Sequence, residues 1–224
     1  MTAQTRRFVI SWTVSTMLGA AMGHLTGDLL WFGFSNRWLF PLLPFGGATL
    51  GIPIGVLQWL VLRRRVPSSA AWMLASAAGW AGSWAVGSLT AVVVASSGGN
   101  LRFFLAMACG TPIVGFAERH FLREWSKHAE SWVLVSTAGW LAFIALEIFG
   151  AVWFTPLNAI GSAIVNAATG YGMFSTIGAT IAGGLILGII TGIGMSRALA
   201  TPPRDHRDNR VIDQHRDADN SLIR

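Results

Sequence analysis

The chain has 224 residues, 53% of them hydrophobic and only 12% charged, about half the charged share of a soluble domain. Its net charge of +6 comes from arginines and lysines gathered in short bursts between long uncharged stretches, so the basicity belongs to loops and a tail and not to a nucleic-acid surface. With Cys109 alone, an intramolecular disulfide, a CxxC motif and a thiolate metal cluster are all excluded.

Six stretches approach or exceed the roughly 20 apolar residues that cross a bilayer core of about 30 Å: 8–30, 41–62, 71–95, 102–119, 131–154 and 173–196. Long runs without polar alternation predict helices and not barrel strands, because a spanning segment must satisfy its own backbone hydrogen bonds. The expected fold is therefore an all-α membrane protein, a six-span helical bundle. Arg6 and Arg7 precede an apolar run that continues through Leu29 to Phe34, longer than the about 7 to 15 residues of a leader's apolar region. An uncleaved first span is expected.

Arg6, Arg7, Arg63 to Arg65, Arg119, Arg123, Lys127 and Arg197 fall on one side of this topology, and Arg37 and Arg102 on the other. The excess of basic residues marks the cytoplasmic side, which puts both termini there. Residues 155–172 are uncharged, moderately apolar and too long for a tight turn. A short helix lying on the outer interface fits them, with a re-entrant loop as the alternative. Residues 201–224 mix both charge signs with few apolar side chains, the composition of a disordered cytoplasmic tail.

The second and third spans form a hairpin whose pattern returns about 60 positions later, from Gln58 to Glu118, as in a duplicated chain. Gly55 then matches Gly115, Leu62 matches Leu122, Arg63 matches Arg123, Trp72 matches Trp132, Ser76 matches Ser136, and Gly79-Trp80 matches Gly139-Trp140. A third copy, split between the chain's ends, is suggested by Trp12, Thr16 and Gly19 on the first span and Gly184, Gly188 and Gly192 on the last. Three parallel copies imply a pseudo-threefold axis along the membrane normal.

Small residues recur four apart, as in Gly47, Gly51 and Gly55, in Gly19, Gly23 and Gly27, and in Gly184, Gly188 and Gly192. Such stripes let helix backbones approach closely in lipid. Gly51, Gly55, Gly115, Gly184, Gly188 and Gly192 are the expected packing positions. Trp12, Trp31, Trp38, Trp59, Trp72, Trp125, Trp132 and Trp153 fall near span ends and are expected to form an interfacial belt.

Ionisable groups at membrane depth are costly and so are candidates for function. His24 and Asp28 stand one turn apart on the first span, and Glu147 replaces a glycine of the repeat. Together they form a candidate intramembrane site for protons, a small cation or an amine, with packing as the plainer reading. Gln58 and Glu118 hold equivalent places one turn from the arginines and form a candidate inner gate. There Glu118 is expected to pair with Arg119 or Arg123, and Gln58 to bond a facing backbone. No nucleotide, zinc-protease or serine-hydrolase motif occurs, so no catalytic residue, metal or cofactor is assigned.

The run Gly51-xxx-Gly55-xx-Gln58-Trp59-Leu60-Val61-Leu62-Arg63-Arg64, followed by Ala71-Trp72 and Gly79-Trp80, resembles an uncharacterised group of small multi-pass proteins of cyanobacteria and other bacteria such as Chloroflexi, in which similar hairpins recur. The likeness is clear over 47–87 and looser over 106–150, where Glu118-Arg119 stands in place of Gln58-Trp59. That resemblance implies architecture and no activity. Six spans in about 200 residues are also similar in size to substrate-binding subunits of vitamin-uptake transporters. The expected function is a non-enzymatic packing module in the lipid bilayer, associating with itself or a larger membrane complex. A small-solute or proton-coupled carrier is the alternative, and a membrane-embedded enzyme the third.

Overall fold

The structure, a computed structural model, describes residues 1–33, 45–66, 69–94, 100–153, 159–160, 162–163 and 177–200. Six helices fill most of them: α1 Ala3–Gly33, α2 Phe45–Leu62, α3 Ala70–Val94, α4 Asn100–Leu122, α5 Ala129–Trp153 and α6 Ile177–Leu199. Each matches one apolar stretch of the sequence. Stretches within α1 (Ala3–Gly27), α5 (Ala129–Glu147) and α6 (Ile177–Leu199) are long and apolar enough to cross a membrane, while the apolar part of α2, Gly47–Leu62, is shorter. Of the segment 155–172, only 159–160 and 162–163 are described, and they are helical. The rest of that segment and the tail 201–224 lie outside the described residues.

Local chemistry explains the helix ends and interruptions. Thr2 caps α1, its Oγ1 accepting the Thr5 amide at 3.2 Å, as a helix N-terminus needs. The two hairpin turns close alike. Leu62 O accepts the amides of Arg65 and Val66 at 2.7 and 2.9 Å, and Leu122 O those of Trp125 and Ser126 at 2.9 and 2.8 Å. Pro112 inside α4 lacks the amide that would reach Ala108 O. The Thr111 hydroxyl donates to that carbonyl instead, at 2.9 Å, a repair that membrane helices commonly use.

The helices pack in chain order, α1 on α2, α2 on α3 and so on to α6, and α6 returns to α1. The result is a closed ring whose last helix completes the surroundings of the first. Glycines set the spacing. A Cβ on Gly55 would stand 3.0 Å from Ser76 Cβ, one on Gly115 would stand 3.2 Å from Ser136 Cβ, and one on Gly188 would stand 3.1 Å from Thr16 Cβ. Gly51 faces Trp80, Gly184 faces Met17 and Gly192 faces Trp12. All six expected packing glycines are thus occupied by helices of the same chain.

The outer surface is apolar, unlike that of a water-soluble protein. Large apolar side chains point outward on every helix, among them Ile10, Leu18, Ile52, Leu74, Phe116, Leu134 and Ile189. Gln58, Glu118, Thr16, Ser76, Ser136 and Thr191 are buried inside. Two apolar layers hold that polar one between them. The first joins Phe8, Trp12, Leu62, Trp72, Leu122, Trp132 and Met195 at the end of the ring that carries the basic turns. The second contains Ala20, Ile54, Trp80, Val114, Trp140, Phe143 and Leu187.

The tryptophan belt needs correction. Trp12 and Trp72 are 0% exposed and Trp132 only 2%. Their rings meet one another at centroid distances of 5.6, 5.9 and 6.5 Å. Depth along the helix is what a belt would require, but all three turn inward, because each shares a helix face with the small residues four and seven positions on. Trp59 and Trp125 are half-buried, and the side chains of Trp31, Trp38 and Trp153 lie outside the described residues.

Candidate polar site inside the ring

A buried indole N–H needs an acceptor, and the ring supplies one from the neighbouring helix three times over. Trp72 Nε1 donates to Gln58 Oε1 at 3.1 Å, Trp132 Nε1 to Glu118 Oε2 at 2.9 Å, and Trp12 Nε1 to Thr191 Oγ1 at 3.0 Å. Thr191 stands to Gly188 and Met195 in the sequence as Gln58 stands to Gly55 and Leu62. Further bonds tie this layer to adjacent helices. Gln58 Nε2 donates to Thr16 Oγ1 at 2.9 Å, and Ser76 Oγ to Glu118 Oε1 at 3.3 Å. The polar belt therefore runs from α6 through α1, α2, α3 and α4 to α5.

Between α5 and α6 a different bond does this work. Thr180 donates its hydroxyl to Glu147 Oε1, well away from the indole layer in sequence. Glu147 is half-buried on α5 and His24 half-buried on α1. Asp28 lies on α1 with its side chain outside the described residues.

Gln58 and Glu118 do come together. With Ser136, Thr191, Trp80, Trp132, Trp140, Ile54, Val114 and Leu187 they line one cavity of about 20 Å³, built by α2 to α6. That is room for about one water. Their expected partners are corrected. Glu118 bonds Trp132 and Ser76, and Gln58 bonds side chains instead of a backbone. Arg119 and Arg123 pair with exposed Glu130 at the rim, because successive residues on a helix point about 100° apart and Glu118 faces inward.

Among the described residues Glu118 is the one Asp, Glu, His, Lys or Arg that is buried. A charge in such a place is expensive unless it is neutralised or compensated. No cationic side chain lines the cavity. Among the described residues no three His, Cys, Asp or Glu gather as a metal site. What the arrangement can do chemically is hold a proton and a water. The acceptor role of Gln58 and Glu118 went unread in the sequence, although each precedes its tryptophan by the same interval, 58 to 72 and 118 to 132.

No family model, no curated protein and no solved structure matches this chain.

Proposed function

We propose that the protein is a multi-pass integral membrane protein in which all six helices span the bilayer, with both termini cytoplasmic, in a bacterial cytoplasmic membrane. The observation that carries this reading is the apolar exterior: outward apolar side chains on every helix around a buried layer of hydrogen-bonded polar groups. In lipid, such a surface is solvated and a polar interior is held by internal bonds. The fold is three copies of one hairpin, the third split between α6 and α1, as the threefold recurrence of the glycine contacts and indole bonds supports. Its role is that of a non-enzymatic module. The glycine stripes are spent inside the ring, so a second copy or a larger membrane complex is met through the lipid-facing sides.

Thiol labelling of single cysteines in the hairpin turns, placed in a Cys109→Ser background, tests the topology. Turns at Arg64 and at Lys127 should label from the cytoplasmic side alone, and labelling of either from outside sinks the six-span reading. Native mass spectrometry from mild detergent tests association. A defined oligomer is expected, and a strictly monomeric protein counts against the module.

A second reading, a carrier, is favoured by the buried Glu118 beside the cavity. A cavity of about one water suits protons better than an organic solute. Proton flux into vesicles that is equal for wild type, Glu118→Gln and Glu147→Gln removes that reading. A loss confined to Glu147→Gln would move the site to the α5–α6 contact.

A further inference from the structure

Three equivalent positions accept an indole N–H in the polar layer, and two of them do so without charge. Gln58 caps Trp72 through an amide oxygen and Thr191 caps Trp12 through a hydroxyl. Capping Trp132 therefore does not require a carboxylate, and the ionisable group of Glu118 is surplus to the packing of the ring. It is also the member of the layer with a hydroxyl donor on its second oxygen, Ser76, and with Ser136 beside it. The cavity it lines holds about one water.

The surroundings decide which ion this group exchanges. Facing Glu118 from α3 is Ser76, from α5 are Trp132 and Ser136, from α2 is Gln58 and from α6 is Thr191, none of them charged. At this end of α4 and α5, Arg119 and Arg123 pair with Glu130 at the rim. Three indole N–H dipoles point their positive ends into the layer from Trp12, Trp72 and Trp132. Both oxygens of Glu118 accept one bond each, from Ser76 and Trp132, and keep a lone pair for a proton, while a cavity for about one water offers few further oxygens to a metal cation.

We propose that Glu118, with a water in the adjoining cavity, is a proton-binding site inside the ring. A hydronium entering the cavity gives its proton to a carboxylate oxygen and remains as neutral water. The acid O–H then donates to that water or to Ser136, while Trp132 and Ser76 keep their bonds to the carboxyl. Release runs the same steps backwards. The inference goes beyond the module reading and does not depend on net transport.

The test is pH-titrated infrared difference spectroscopy of the full chain in lipid nanodiscs. A carboxylic-acid carbonyl band should grow on acidification, shift in heavy water and vanish in Glu118→Gln, while Glu147→Gln keeps it. Glu118→Gln should remain folded, because glutamine already serves at position 58. The double variant Glu118→Gln/Gln58→Glu moves the carboxyl to the equivalent place and should regain a band. An unchanged band in Glu118→Gln, a Glu118 ionised at every accessible pH, or a spectrum that responds to sodium at constant pH each overturns the proposal. Flux assays on the same samples report separately on the carrier reading.

Discussion

The α2–α3 and α4–α5 hairpins are built on one plan and differ where it matters chemically. Both place a glycine against the following helix, close the turn on a buried leucine carbonyl, and bury a tryptophan whose N–H returns to the preceding helix. In the first the acceptor is the amide of Gln58, which also donates to Thr16 and so bonds on both sides. In the second it is the carboxylate of Glu118, which can only accept while ionised. Two kinds of side chain thus fill one structural role, and only the second adds a titratable group. The turns diverge too: Arg63 and Arg65 lie over Trp59 and Phe8, whereas Arg119 and Arg123 share Glu130.

Substitutions made in parallel in the two hairpins sharpen this difference. The largest effects belong to the indoles. Trp72→Ala and Trp132→Ala should each cost about 3–5 kcal/mol in unfolding from mild detergent, as for any large buried aromatic. Trp132→Ala should be the worse of the two, because it also takes a donor from a buried carboxyl. Equal losses would mean that Glu118 does not depend on its indole.

Next come the acceptors. Glu118→Ala strands the N–H of Trp132 and the hydroxyl of Ser76, at a cost of about 1–3 kcal/mol, whereas Glu118→Gln should stay within about 1 kcal/mol of wild type. A glutamine as damaging as alanine would show that the two hairpins are not interchangeable. Gly115→Ala and Gly55→Ala follow at about 1–3 kcal/mol or less. Gly115 should suffer more, since its Cβ would stand 2.9 Å from the Val133 backbone, against 3.4 Å from the Met73 backbone for Gly55. Smallest of all, Glu130→Gln should leave thermal stability unchanged at moderate salt, because its ion pairs are exposed and screened.

The architecture is largely legible in the residues, because helix length, glycine spacing and the step from Gln58 to Glu118 are one-dimensional signals. The apolar stretches and the six helices agree to within a few residues at most ends. Two-dimensional information was harder to extract. Trp72 near a helix end suits an interfacial anchor and a core plug alike, and only its azimuth separates them. The signal was present, since Ser76 and Gly79 fall on the same face as Trp72. Pairing is harder still. Nothing local to Glu118 says that its partner is Trp132 and not the adjacent Arg119, because that choice is made by the direction in which a neighbouring helix presents its donor. The candidates His24, Asp28 and Glu147 rest on the rarity of charge in lipid, which marks positions and says nothing of their partners.

The central claim is that one chain closes its own ring, with α6 seated on α1 through the glycine stripe. The most direct measurement is oxidation of Thr16→Cys/Gly188→Cys in a Cys109→Ser background, where the two Cβ positions lie 3.1 Å apart, a separation that slight relaxation brings to disulfide geometry. Rapid formation of a crosslink within the monomer, at every protein concentration, is the expected result. A crosslink that forms only between two chains, or none at all, would mean that the stripe on α6 serves a partner and that the ring is open.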